Sequence, residues 1–240
     1  MSNSWFQFKQ FLVKQDATAM KVCTDSCVFG ATVPIKSTVL SILDIGTGTG
    51  LLALMLAQRS AKDVCIDAVE MNEAAAKQAV DNFYGSPWNN RITLHHTSIQ
   101  DYIKYTPKQY DLIVCNPPFF SASLKSGNTS KDMALHQSHL SVDELMQVVF
   151  FMLRSNGDAY LLISIYEEEN FIKAASLVGL KNKRYQAIYD NERKLIRYVL
   201  HLRKDSIHLD TREETFIIRD SKNEYTEQFV DALKDFYLHL

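Results

Sequence analysis

Val39-Leu40-Ser41-Ile42-Leu43-Asp44-Ile45 runs straight into Gly46-Thr47-Gly48-Thr49-Gly50, and Leu51-Leu52-Ala53-Leu54-Met55-Leu56-Ala57-Gln58 follows without a break. The first run is short, aliphatic and closed by glycines, the pattern of a strand buried on both faces. The last run holds good helix formers on every side. Glycines between them allow positive φ and let a ligand approach the backbone. Strand, glycine turn and helix together open an α/β sheet.

Downstream the alternation continues. Val64–Glu70 reads as a strand, and Asn72 stands at an N-cap before a helix to Tyr84. Arg91–His95 and Tyr110–Asn116 read as strands. Ser141-Val142-Asp143-Glu144 is a capping box ahead of an apolar helix to Arg154. Asn156-Gly157 is expected to turn the chain into strand Ala159–Ile165. A helix over Glu167–Leu177 follows, with Gly179 at its C-terminal cap. Tyr185–Tyr189 and Arg197–Leu202 form an antiparallel hairpin around Asn191. Phe216–Ile218 can supply one more short strand, and Glu224–Leu238 a closing helix. The order implies a mostly parallel, doubly wound sheet with its ligand at the carboxyl ends of the strands. Residues 1–240 read as one domain, with 1–35 as an N-terminal extension that alternates like strands.

Bulk properties agree. The 240 residues are 46% hydrophobic and 22% charged, a globular composition that excludes wholesale disorder. No apolar run approaches the ~20 residues that span a bilayer. The N-terminus lacks a signal-peptide pattern, and four cysteines are too few for a disulfide scaffold, so a reducing cytoplasm is expected. A net charge of −2 excludes a whole-surface nucleic-acid binder but allows a local basic patch.

The glycine loop fits a plain tight turn, a dinucleotide phosphate loop or a nucleoside site. Its spacing is Gly-x-Gly-x-Gly rather than Gly-x-Gly-x-x-Gly, and Asp44 precedes it. An anion there disfavours a pyrophosphate and suits an amine, such as the amino-acid end of S-adenosylmethionine. Glu70, at the end of the second strand and twenty positions after Gly50, can bind both hydroxyls of an adenosine ribose. Alone it reads as a solvated strand end; with Asp44 and the glycines the nucleoside reading is stronger.

The fourth strand ends in Asn116-Pro117-Pro118-Phe119. Two prolines remove two donors and stop the sheet, so the Asn116 amide and the Pro117 carbonyl stand on the same rim as the glycine loop. A planar amino group is a poor nucleophile, because its lone pair is delocalised. Two acceptors holding its hydrogens favour the more tetrahedral, more charged nitrogen of the transition state. Phe119 offers a face for a base turned out of its stack.

At these residues the sequence resembles the class I S-adenosylmethionine-dependent methyltransferases that act on planar amino groups. Phe8-Lys9-Gln10-Phe11, Met20-Lys21-Val22-Cys23-Thr24-Asp25, Leu51–Arg59, Ile66-Asp67-Ala68-Val69-Glu70 and Ser86-Pro87-Trp88 narrow it. Over residues 6–238 the chain is similar to the bacterial tRNA (adenine-N6) methyltransferases that modify adenine 37 of a valine tRNA. The resemblance implies a Rossmann-like fold with a seven-stranded, mostly parallel sheet, helices on both faces and a final antiparallel hairpin. It implies that Asp44, Gly46, Gly48, Gly50, Glu70 and Met71 bind S-adenosylmethionine, with Ser98 and Ile99 at its adenine end. Lys21, Thr24 and Asp25 would close over its methionine end. Asn116, which also borders the cofactor, would position the adenine amino group with Pro117, Pro118 and Phe119. Relatives carry an acid where this chain has Ser98, and Asp101 stands ready to compensate.

The expected partner is tRNA, met by a monomer with no metal and no membrane. Lys9, Lys14 and Lys21, with Lys125 and Lys131 in the 121–138 loop, are candidates for its rim; Lys181, Lys183, Arg184, Arg193, Lys194 and Arg197 form a second cluster. His136 and His139 lack partners at metal spacing. Cys65 and Cys115 read as small core residues, and Phe6, Phe8 and Phe11 as packing for the N-terminal segment. The rivals are a release-factor glutamine or rRNA guanine-N2 methyltransferase, and a nucleoside- or RNA-binding protein without chemistry. The glutamine enzymes would need a separate N-terminal helical domain for which 35 residues leave no room, while guanine-N2 methylation stays open on the motif alone.

Overall fold

The computed structural model describes residues 3–18, 20–106, 108–117, 140–205 and 213–240. Two short strands, β1 (Trp5–Gln7) and β2 (Leu12–Lys14), form a hairpin, and helix α1 (Thr24–Thr32) follows. The main unit then alternates through β3 (Ser41–Ile45), α2 (Leu51–Arg59), β4 (Cys65–Glu70), α3 (Glu73–Tyr84), β5 (Ile92–His96), α4 (Ile99–Tyr105) and β6 (Tyr110–Cys115). Helix α5 (Val142–Met152), β7 (Leu153–Ser164), α6 (Glu168–Leu177), β8 (Lys181–Asn191), β9 (Lys194–Arg203), β10 (Glu214–Arg219) and α7 (Glu227–Leu233) complete it.

The described strands after β2 form one eight-stranded sheet in the order β10-β8-β9-β7-β6-β3-β4-β5. That is one strand more than the seven expected. β10 pairs in parallel with β8 at the edge, extending the short signal of Phe216–Ile218 in both directions. Only β9 runs against its neighbours in this sheet. From β3 the chain goes outward to β4 and β5, then returns to β6 on the other side of β3. This reversal is the switch point at which open α/β sheets bind ligands. All five residues of β3 are buried, as a strand covered by helices on both faces requires.

Three expectations change. The N-terminal extension holds a helix, α1, where strand-like alternation was read. Ser26 to Gly30 are all buried, so this helix has no polar face to reveal its period. Asn156 and Gly157 lie inside β7 rather than before it; the strand starts at Leu153 and slips register against β6 between Tyr110 and Leu112. Cys65 is exposed, because it is the first residue of β4, at the open end of the strand. Cys115, by contrast, is buried, and burial pushes its thiol well above the ordinary range.

The N-terminal segment is fastened at several points. Phe8 is fully buried and stacks on Phe11 at 4.5 Å, with Phe6 4.7 Å away. Asn82 of α3 accepts from the Lys14 N–H at 2.9 Å and donates to the Lys14 and Thr49 carbonyls. Thr49 leads into Gly50, whose φ of +85° a side chain would strain. A Cβ there would also stand 2.3 Å from the Phe83 ring. Gly50 is thus demanded by the packing of α2 on α3. Gly50→Ala should cost roughly 2–4 kcal/mol, summing left-handed strain and overpacking. Urea unfolding reads this directly; an unchanged midpoint would show that Phe83 moves aside freely.

Candidate active site

In the register of β3 against β6, Ile45 lies opposite Cys115. The next residues, Gly46 and Asn116, therefore leave neighbouring parallel strands side by side. Neighbouring strands are about 4.8 Å apart, so the glycine loop and the Asn-Pro corner share one rim.

Gly46 and Gly48 have φ of +69° and +56°, and a Cβ on either would meet nothing within 4 Å. These glycines border open space, unlike Gly50. The loop is tied to β4: the Gly46 and Thr47 N–H groups donate to the Val69 carbonyl, and the Gly48 N–H donates to Glu70 Oε2 at 2.9 Å. Glu70 Oε1 accepts from the Asn72 N–H at 2.8 Å. One carboxylate thus joins the glycine loop to the start of α3, where Asn72 caps through the Ala75 N–H as expected. Each Glu70 oxygen keeps a second lone pair for a ligand hydroxyl.

Asp44 is fully buried. Its Oδ2 accepts from Thr47 Oγ1 at 2.5 Å, while Oδ1 has no hydrogen-bond partner among the described residues. Burial, opposed by bonds from Thr47 and the Ala53 backbone and aided by Glu70, pushes its pKa up to about 7. A ligand ammonium would supply the missing donor and favour the ionised carboxylate. An amine at Asp44, hydroxyls at Glu70 and open glycine backbone between them fit S-adenosylmethionine.

The remaining candidates fall in several places. Met71 is 53% exposed beside Glu70, and Ile99 is buried under α4. Ser98 caps α4, accepting from the Asp101 N–H at 3.0 Å and donating to Asp101 Oδ2 at 2.9 Å, so the two form one unit. Asp25 Oδ2 accepts from Arg197 Nε at 2.8 Å. Thr24 and Asp25 line an open cleft of about 720 Å³, shared with Tyr166, Lys194, Arg197 and Arg219. Lys21 stands three positions before Thr24, in the strap that precedes α1. Pro118, Phe119, the 121–138 loop with Lys125 and Lys131, and His136 and His139 lie outside the described residues.

Asn116 is half-buried. Its Nδ2 donates to Ser26 Oγ at 2.8 Å and lies 3.8 Å from Met20 Sδ. Sequence reading did not name Ser26 and quoted Met20 only within the Met20–Asp25 segment, because nothing local in that segment points to β6. The basic hairpin residues also separate. Arg193 and Lys194 lie at the β8–β9 turn on the active rim, whereas Lys181 and Lys183 lie toward the far end of the hairpin, where Lys181 pairs with Arg203. Arg184 is held by Glu168. Lys9 is bound to the Lys234 carbonyl beside α7.

The model of the methyltransferase small domain matches residues 21–151, more than half the chain. A tRNA1(Val) (adenine(37)-N6)-methyltransferase of Cytophaga hutchinsonii is 72% identical over 240 residues, covering 100% of each chain. A protein of the same name from Flavobacterium psychrophilum is 39% identical over 238 residues, covering 98% of this chain and 100% of its own. The chain belongs to the tRNA1(Val) (adenine(37)-N6)-methyltransferase family. Solved structures of low identity share the fold. A predicted O-methyltransferase, protein Atu636 of Agrobacterium tumefaciens, aligns with a TM-score of 0.65 at 16% identity, over 87% of this chain and 95% of its own. TYW2 of P. horikoshii in complex with MeSAdo aligns with a TM-score of 0.58 at 13% identity, over 85% and 73%. Among the described residues no group of three His, Cys, Asp or Glu could hold a metal ion, and no helix is long and apolar enough to cross a membrane.

Asp44 gives this methyltransferase a pH signature. Its folded value of about 7 lies above the ordinary 3.8, so folding takes up a proton between those limits. The Asp44 contribution to stability is full below pH ~4 and falls by about 1.4 kcal/mol per unit as pH rises toward 7. Asp44→Asn removes this dependence. The variant should therefore melt higher than the ligand-free wild type at pH 8, converge with it near pH 4, and lose cofactor binding. A melting difference that does not change with pH would show that Asp44 does not titrate in this window.

Proposed function

We propose that the protein transfers a methyl group from S-adenosylmethionine to N6 of an adenine in tRNA, at adenine 37 of a valine tRNA. The observation that carries this reading is the Asn116 amide beside the open glycine loop, with both its nitrogen contacts on the protein side. The relatives' names supply the nucleotide.

When bound, S-adenosylmethionine supplies a methyl group on a positively charged sulfur. Asp44 holds its amine, Glu70 its ribose hydroxyls, and the Gly46–Gly48 backbone lets it lie close to the sheet. Met71, Ser98 and Ile99 border its adenine, and Lys21 from the strap with Thr24 and Asp25 from the start of α1 close over its methionine end. Asn116 Oδ1 and the Pro117 carbonyl accept the two hydrogens of the target amino group, and Phe119 stacks on its ring. These acceptors bind the pyramidal, partly cationic nitrogen more tightly than the flat one, which lowers the barrier. The methylated nitrogen then loses a proton to water, so no strong general base is needed.

The RNA reading has support beyond the target base. Tyr166 follows β7 on the active rim, with its side chain 86% exposed, and Lys194 faces the same cleft. An exposed ring and a cation are what a flanking nucleotide uses for stacking and phosphate contact.

Three measurements test this reading. Unmodified tRNA incubated with the protein and S-adenosylmethionine should yield N6-methyladenosine by nucleoside mass spectrometry. Asn116→Ala should lower kcat roughly a hundred- to a thousandfold, since one such bond is worth roughly 3–4 kcal/mol, and leave cofactor Kd within a few-fold. Equal losses in kcat and cofactor affinity would make Asn116 a structural residue. Tyr166→Ala combined with Lys194→Glu should weaken tRNA binding roughly fivefold to a hundredfold, from the 1–3 kcal/mol of one stacked base. Binding that survives would move the RNA surface elsewhere.

A further inference from the structure

An asparagine amide has two ends of opposite character. Its oxygen accepts hydrogen bonds and its nitrogen donates them. Asn116 serves the proposed reaction only with Oδ1 toward the substrate, because an amino group needs acceptors. A half-turn about the last side-chain bond would present the donor end and repel the substrate's own N–H. Which end faces out is set by what lies behind the amide.

Behind it lie two atoms from the strap and helix that cross this rim. Ser26 Oγ is 2.8 Å from Nδ2, and Met20 Sδ is 3.8 Å away. A thioether sulfur carries no hydrogen and only accepts. If the amide turned over, its oxygen would face that sulfur with no donor, and only the Ser26 O–H could meet it. Ser26 is 4% exposed, and its oxygen is also 2.9 Å from Cys23 Sγ. Burial, with Asp25 nearby, pushes the Cys23 thiol up to about 11, so a neutral S–H stands there near neutral pH. The Ser26 O–H is directed to Cys23 Sγ, a bond that lowers that thiol against its burial, so toward Asn116 the hydroxyl offers lone pairs and takes the amide N–H. Among the described residues no group donates to Asn116 Oδ1.

From this geometry we infer that Ser26, backed by Met20, is a positioning residue that fixes the Asn116 amide with its oxygen toward the substrate. It touches neither substrate nor cofactor and acts through Asn116. The inference rests on the methyl-transfer reading for its consequence, but the contact itself can be tested apart from activity.

Ser26→Ala keeps a helix former in the first turn of α1 and should leave the melting temperature and cofactor Kd close to wild type. It should lower kcat tenfold or more. Ser26→Thr, which keeps the hydroxyl, should recover most of that loss. In an Asn116→Ala background, Ser26→Ala should change kcat less than twofold, because there is no amide left to orient. A merely structural serine would cost the same factor in both backgrounds, and that outcome, or an unchanged kcat in Ser26→Ala, overturns the inference. Side-chain amide NMR gives the readout that needs no turnover. The Asn116 NH2 pair, assigned by its loss in Asn116→Ala, should move in Ser26→Ala and stay near its wild-type position in Ser26→Thr. If wild type methylates no tRNA but this pair moves, the substrate reading fails and the orienting contact stands. If the pair does not move, the contact fails whatever the substrate is.

Discussion

The pairing of Ile45 with Cys115 is the constraint on which the site depends. Two segments separated by seventy residues become neighbours because β3 and β6 share one hydrogen-bonded register. A slip of one residue would turn every side chain of a strand to the other face. It would separate the glycine loop from the Asn-Pro corner and bury the wrong residues. The register is strongly specified, since both strands are dense in aliphatic residues that must meet helices on two sides.

Three buried carboxylates show how the protein distributes polar cost. Asp67 is disfavoured by burial, but Lys108, His95 and Tyr110 donate to it and hold it below the usual carboxylate range. Asp158 is likewise offset by His201 and Lys36. These two are satisfied within the fold and help to staple the sheet. Asp44 differs: one oxygen lacks a partner and its acidity is weakened rather than strengthened. A polar group left short in the free protein is a standing affinity for whatever completes it. The free protein is less stable for it, and the ligand's amine gains from it.

The strap and α1 connect the two halves of the rim. Gln15 accepts from the Val22 N–H at 2.8 Å, the Asp25 carboxylate is paired with Arg197 of β9, and Ser26 reaches Asn116 after β6. One stretch of chain therefore touches both the Asn116–Pro117 corner and the cleft lined by Tyr166 and Lys194.

The sequence by itself determined the elements whose signals are local. Ile45-Gly46-Thr47-Gly48 marks a strand meeting a ligand loop, Asn72 and Ser141 cap helices through their own side chains, and Asn116-Pro117 ends a strand, all from chemistry within a few residues. The family was legible for the same reason, because motifs are contiguous. Helix α1 was hidden, since burial on all sides erases the polar face that reveals a period. Asn156-Gly157 was read as a turn ahead of the strand because Asn-Gly favours one locally, whereas β7 begins at Leu153 opposite Tyr110 and carries the pair in the irregularity before Asp158 meets Leu112. The different duties of Gly48 and Gly50, one facing open space and the other facing Phe83, are invisible in a Gly-x-Gly pattern. So is the hydroxyl of Ser26 behind Asn116, ninety residues away. Such contacts join segments that only the sheet register brings together, and no local propensity encodes which side chain will stand behind another.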